Sequence, residues 1–279
     1  MKVIDYGKIV DAVANLCQKG NFNLGQDVLD ALKKGYEEEV SPSGKDILGQ
    51  LIRNAEIAQD EQVPMCQDCG VAVVFVEIGQ DVSISGGYIN EAINNGVIKG
   101  YAEGYLRKSM CDPFSRENTG NNTPAIIHTE IVPGNNLKIT VAPKGGGSEN
   151  MSAIAMLPPS AGIEGAKKFV IERVKQAGPN PCPPLVIGVG IGGNFEKCAL
   201  LAKKALLRNI GEANPSSEVH EIEKDLLVRI NKLGIGPAGL GGRITALGVA
   251  VETHPCHIAS FPVAVNINCH AARHKSVSL

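Results

Sequence analysis

Apolar residues recur at helical spacing through the first part of the chain. Ile9, Val10, Val13 and Leu16 form one stripe, which Asn21–Gly25 interrupts. Val28, Leu29 and Leu32 resume the pattern up to about Glu39. Ser41-Pro-Ser-Gly-Lys then opens a third segment, with Ile47, Leu48, Leu51, Ile52 and Ala55 on one face. Residues three and four apart share a helix face, so residues 6–60 are expected to form a helical subregion with no chemistry of its own.

Beyond it the period changes. Val71–Ile78 is Val-rich and predicts a strand, and Ile89–Arg107 predicts a helix. Ala125–Ile131 and Leu137–Ala142 read as strands joined by a turn at Pro133-Gly-Asn-Asn, with the Gly-rich loop Lys144–Asn150 after them. Ala161–Gln176 predicts a helix, Leu185–Val189 a short buried strand, and Phe195–Arg208 and His220–Leu233 two more helices. Gly234–Gly242 is loop-like, and Ile244–Glu252 and Phe261–Ile267 read as strands. Strands do not alternate regularly with helices, and no internal repeat is visible. The expectation is an α/β (mixed α+β) fold in a single domain over 1–279, in which residues 61–279 form a mixed sheet surrounded by helices.

Composition narrows the function. Aromatic residues make up 4% of the 279 positions, with no Trp, and the formal net charge is −2. Base stacking and phosphate attraction both lack their usual residues, so no nucleic acid partner is expected. No apolar run is long enough to span a bilayer, and the N-terminal residues lack the apolar core of a signal peptide. The reading is therefore cytoplasmic, where the eight cysteines stay reduced. Cys17 and Cys198 fall in helical, apolar stretches and are expected in the core.

Three other cysteines lie in loops: Cys66 in Val63-Pro-Met-Cys-Gln-Asp-Cys-Gly70, Cys182 in Pro-Cys-Pro-Pro, and Cys269 in Val-Asn-Ile-Asn-Cys-His-Ala-Ala-Arg. Three thiolates from separate loops can hold an iron–sulfur cluster and leave one iron open. Electron carriers instead use compact Cys runs and four thiolates. Cys66-x-x-Cys69 also fits a zinc or redox pair, but no second pair accompanies it, although Cys256-His257 offers two ligand types. Gly188-Val-Gly-Ile-Gly-Gly193 satisfies a dinucleotide fingerprint. The acidic strand end that should follow about 20 residues on falls in a loop, Asn209–Ser217, so the βαβ unit is not expected to be completed. A turn close behind Cys182, with room for a cluster or an anion, is the preferred reading of those glycines. Lys144-Gly-Gly-Gly-Ser lacks the Gly-Lys-Ser/Thr ending of a phosphate loop, but its backbone can approach a carboxylate closely.

The chain resembles the iron–sulfur hydro-lyases of the class I fumarase and tartrate dehydratase family. The match runs from Pro64-Met-Cys-Gln-Asp-Cys-Gly through Leu106-Arg107, Asn118-Thr-Gly-Asn-Asn-Thr-Pro-Ala125 and Lys144-Gly-Gly-Gly-Ser148. It continues at Cys182-Pro-Pro184, at His257–Val265 and at Cys269-x-Ala-x-Arg273. The resemblance implies a [4Fe-4S] cluster on Cys66, Cys182 and Cys269 with one open iron. It implies substrate contacts from Gln67, Asp68, Arg107, Gly147 and His257, with Asp68 and His257 also catalytic. Cys69 stands where the family has Thr, either as a spare thiol or as a rival to Cys66. The chain stops soon after Arg273, where single-chain members carry a further domain. The resemblance therefore implies the α subunit of a two-subunit form, an α2β2-type heteromer whose β subunit supplies the base. The expected reaction is reversible hydration of fumarate to (S)-malate, with L-tartrate dehydration as the alternative.

Overall fold

The computed structural model describes all 279 residues. Packing divides them into two compact units, and neither is a continuous stretch. Unit 1 comprises Met1–Leu24, Ala55–Gly146 and Arg273–Leu279; unit 2 comprises Gly25–Asn54 and Gly147–Ala272.

The helical opening holds. α1 (Tyr6–Phe22), α2 (Gln26–Glu38) and α3 (Pro42–Glu61) follow a short strand, β1 (Lys2–Asp5). Asp5 starts α1 because its carboxylate accepts the backbone N–H of Gly7 at 2.8 Å, one of the donors a helix start leaves unpaired. The three helices do not form a subregion of their own. α1 belongs to unit 1, α2 to unit 2, and α3 is divided between them.

In unit 1, β2 (Val71–Gly79), β4 (Ile126–Val132), β5 (Leu137–Lys144) and β10 (Lys275–Ser278) make a sheet in the order β10-β5-β2-β4. β4 and β5 do not pair with each other. Both pair with β2, β4 in parallel and β5 antiparallel. Ala72–Val76 of β2 is buried on both faces, which explains its unbroken apolar run. α1 packs on α4 (Ile89–Glu103), where Gly96 and Gly100 let the backbones close. A Cβ on Gly100 would lie 2.7 Å from the Ala14 carbonyl oxygen. α4 ends at Glu103 rather than Arg107, because the chain turns at Gly104 and takes a left-handed φ of 51° at Tyr105. A two-stranded parallel ribbon, β1 with β3 (Val82–Ser85), completes the unit.

Unit 2 holds α6 (Gly162–Ala177), α7 (Phe195–Ala205) and α8 (Ser217–Asn231) with a sheet ordered β6-β9-β7-β8. Its strands are β6 (Ala153–Leu157), β7 (Leu185–Gly192), β8 (Ala246–His254) and β9 (Phe261–Asn268). The short helix α5 (Gly146–Glu149) occupies most of what the sequence suggests is a plain Gly-rich loop.

The glycine fingerprint is corrected by the structure. A parallel crossover does exist, from β7 through α7 and α8 to β8. Gly188 and Gly190 nevertheless lie inside β7 and do not form a phosphate turn. A Cβ on either would collide with the carbonyl oxygen of Ala202 or Cys198 in α7. These glycines are there so that a helix can press on a strand. Only Gly192 and Gly193, with φ of 90° and 70°, form the turn into α7.

Candidate functional site

Strand register decides which loops meet. In unit 1, Val71 at the start of β2 pairs with Lys144 at the end of β5. The loop before β2, which carries Cys66, therefore lies beside the Gly-rich loop after β5. Gly70 fits this approach with φ of 74°, and its Cβ would sit 2.6 Å from the Lys144 nitrogen. Asp68 ties the loops together, since Oδ1 accepts the Gly70 N–H at 2.9 Å and Oδ2 accepts the Gly146 N–H at 2.8 Å.

Two buried polar residues brace the same loop from behind. The Tyr101 hydroxyl, on α4, donates to the carbonyls of Cys69 at 2.8 Å and Gly70 at 3.0 Å. Burial pushes its phenol well above the usual range. Asn122 donates to the Gly70 carbonyl at 3.1 Å and accepts the N–H of Ser109 at 2.7 Å. It sits at φ of 62°, a conformation Asn tolerates better than most residues. Neither brace is legible in the sequence, because both partners are dozens of positions away.

The two thiols of the loop have different surroundings. Cys69 is buried, and its Sγ accepts the Arg107 N–H at 3.2 Å. Its own S–H points to the Cys66 carbonyl at 3.7 Å. Burial pushes the Cys69 thiol up, so it stays protonated. A Thr hydroxyl can make the same two bonds, which accounts for Cys69 standing at a Thr position. Cys66 is partly exposed, and its Sγ accepts the Asp68 N–H at 3.4 Å. Of the pair, Cys66 has the surroundings of a ligand. Gln67 is exposed and its Oε1 accepts from the Cys66 thiol at 3.4 Å, and Arg107, also exposed, is held to the loop by its backbone N–H on Cys69.

Arg273 closes the Cys269-x-Ala-x-Arg273 motif, which by itself assigns it no role. It is 5% exposed, and its Nη2 donates to the Asp68 carbonyl oxygen. Its Nε and Nη1 are buried without a hydrogen-bond partner.

Unit 2 repeats the register logic. Val186 near the start of β7 pairs with Asn268 at the end of β9. The Cys182 loop therefore meets the segment carrying Cys269, and the His270 N–H donates to the Cys182 carbonyl at 3.4 Å. Cys182 itself is exposed, with φ of 55°. Cys269 is partly exposed, and none of the eight cysteines is in a disulfide. Cys17 and Cys198 are fully buried as expected, and burial lifts their thiols to about 12 and about 11.

His257 lies on an exposed turn, where its Nδ1 takes the Ala259 N–H at 3.0 Å. A backbone N–H only donates, so Nδ1 is the acceptor and the ring proton belongs on Nε2. Gly147 is exposed, and a Cβ there would meet the Asn180 carbonyl at an ordinary 3.7 Å.

No three His, Cys, Asp or Glu side chains are grouped to hold a single metal ion, so Cys66-x-x-Cys69 finds no zinc-type set. The donor chemistry does suit an iron–sulfur cluster, whose thiolates each bind a different iron. Cys66, Cys182 and Cys269 all lie outside the cores, and Cys66 receives the kind of N–H···S bond that tunes cluster thiolates.

No helix is long and apolar enough to cross a membrane. The putative L(+)-tartrate dehydratase subunit alpha of Methanocaldococcus jannaschii is 47% identical over 272 residues, covering 95% of each chain. The L(+)-tartrate dehydratase subunit alpha of Escherichia coli K12 is 34% identical over 270 residues, covering 95% of this chain and 89% of that one. Residues 10–278 match the family described as Fumarate hydratase (Fumerase), and the chain belongs to that family of hydro-lyases.

Proposed function

We propose that the chain is the α subunit of an iron–sulfur hydro-lyase that interconverts fumarate and (S)-malate, with Cys66, Cys182 and Cys269 as the cluster ligands. The observation that carries this reading is the family match over 10–278, with the Cys66 loop fixed beside the Gly-rich loop through Asp68. When bound, a [4Fe-4S] cluster with three thiolate ligands supplies a Lewis-acidic iron.

The protein's own residues then have separable tasks. Arg107 offers a planar fork to a substrate carboxylate, and the Gly147 N–H is a backbone donor for the same acid. Gln67 hydrogen-bonds the substrate from the position next to Cys66. His257 presents Nε2–H to the C2 hydroxyl as a hydrogen-bond donor, and with Nδ1 accepting the Ala259 N–H the neutral ring positions that hydroxyl without giving up its own proton. Asp68 retains lone pairs for that hydroxyl, although its two backbone bonds make positioning its first task. Dehydration breaks the C2–O bond and removes a proton from C3. The base for that proton comes from the β subunit, by analogy with relatives named as alpha subunits.

A second reading, dehydration of L-tartrate, is supported by the names of those relatives. The substrates differ by one hydroxyl, and a polar group placed for it discriminates strongly. Anaerobic co-expression with the candidate β subunit, followed by assay of malate, fumarate and both tartrate isomers, tests both. Malate–fumarate turnover with slow tartrate turnover is expected. Oxaloacetate from tartrate as the faster product favours the second reading, and no turnover of any of these acids overturns both.

A further inference from the structure

We infer that Arg273 is the charge-compensating residue of the cluster, donating Nε–H and Nη1–H to the anionic group held at the Cys66 loop. This rests on the cluster reading above. The guanidinium is 5% exposed and cannot shed its proton. One nitrogen, Nη2, is bonded to the Asp68 carbonyl, which fixes the fork against the loop between Cys66 and Gly70. The other two nitrogens are buried and unpartnered. The acidic side chain nearest in that loop is committed elsewhere, since Asp68 takes the N–H groups of Gly70 and Gly146. The neighbouring Tyr101 is held neutral by burial.

Buried guanidinium N–H groups with no acceptor are unfavourable, by several kcal/mol in proteins generally. The Asp68 carboxylate lies in the same loop, but its hydrogen bonds go to backbone N–H groups, so the fold leaves Nε and Nη1 of Arg273 for an acceptor that no side chain of this loop supplies. Three thiolates around a [4Fe-4S] core of charge +2 leave one net negative charge. N–H donors aimed at such a group stabilise it and raise its reduction potential. The alternative anion is a substrate carboxylate, which would touch the same nitrogens only during turnover.

The test uses the full chain, reconstituted anaerobically with ferrous iron and sulfide, as wild type and as Arg273→Gln and Arg273→Lys. Iron loss to a chelator and the cluster midpoint potential are measured without substrate, and thermal melting is followed in the metal-free proteins. For Arg273→Gln, chelator-driven iron loss is expected to be about 10–100-fold faster, with a more negative potential. Arg273→Lys, which keeps the charge without the fork, should fall between it and wild type. It also serves if the Gln variant does not fold. The metal-free variants should melt no lower than wild type, because two buried unpartnered N–H donors have been removed or made easier to hydrate. Equal iron retention and potential in all three proteins overturns the assignment. So does a raised KM for malate, measured on the variants co-expressed with the candidate β subunit, together with an unchanged potential, which would give Arg273 to the substrate. Failure of wild type itself to take up a cluster overturns the cluster reading instead.

Discussion

Glu39 is a carboxylate at 1% exposure, and four backbone N–H groups close on it. Val40, Ser41, Arg243 and Ile244 donate at 2.8–3.0 Å, all within unit 2. Burial alone would raise its pKa, but these donors outweigh it and hold the carboxyl below its usual value. A group with a lowered folded pKa stabilises the fold above its unfolded pKa, near 4.3 for Glu, and loses that contribution as pH falls through the folded value. Glu39→Gln turns one acceptor into a donor facing Ile244 N–H, and should cost on the order of 3 kcal/mol at pH 7, read as a lower urea midpoint. The gap to wild type should shrink as the pH is taken below 4; a gap that stays constant down to pH 3 removes Glu39 from the acid response. The cysteines give a second contrast at this scale. Cys198→Ser keeps a donor to the Gly190 carbonyl, now 3.1 Å from the sulfur, and should leave iron content unchanged. Cys182→Ser, at an exposed thiol, should abolish it, and equal iron in the two reconstituted variants would undo the ligand assignment. Residue chemistry of this kind was only half legible. Cys66 could be picked out by resemblance, whereas Asp68 as a loop brace, Tyr101 and Asn122 behind it, and the stranded Arg273 depend on partners that no local pattern records.

Elements were legible where their own apolar pattern is strong. α1 to α4, α6 to α8, and β2, β4, β5, β7, β8 and β9 fall close to where periodicity puts them. The strands that periodicity misses, β1, β3, β6 and β10, are four or five residues long and lie at sheet edges or in the two-stranded ribbon. Such strands are fixed by the neighbour they pair with rather than by their own burial, so their sequences carry little signal. The glycines of β7 fail for the opposite reason, since a strong local motif points to the wrong cause. Gly190 has no room for a Cβ against the Cys198 carbonyl. Gly190→Ala is therefore expected to destabilise the protein by on the order of 3 kcal/mol through overpacking. A dinucleotide turn would instead predict a stable variant with weakened NAD binding, and calorimetry with NAD beside urea denaturation separates the two.

At the scale of the whole chain, the two sheets share one plan that the sequence does not announce. In each, a strand follows a cysteine loop, crosses to a parallel neighbour, and is joined on its other side by an antiparallel strand. These sets are β2, β4, β5 and β7, β8, β9. The antiparallel partner ends level with the start of the first strand, so each unit delivers two functional loops to one end of its sheet. The fourth strand is where the plans differ. β6 precedes its set, whereas β10 arrives from the far end of the chain to pair with β5. Unit 1 thus depends on residues that follow the whole of unit 2. Val277 and Leu279 pack on its core, and the Leu279 N–H donates to the Leu137 carbonyl at 2.8 Å. Ending the chain at His274 keeps Arg273 but removes β10. It should expose the β5 edge, raising amide exchange in β5 at least tenfold and promoting self-association, because an unpaired apolar strand is a template for another chain. β10 pairs with β5 and has no ladder to unit 2's sheet, so exchange in β7 and β9 should hold at the wild-type level. Exchange mass spectrometry resolves the two sheets. Unchanged protection of β5 would mean that its antiparallel partner β2 alone secures it, and that the terminal strand is dispensable to the Cys66 loop it helps to support.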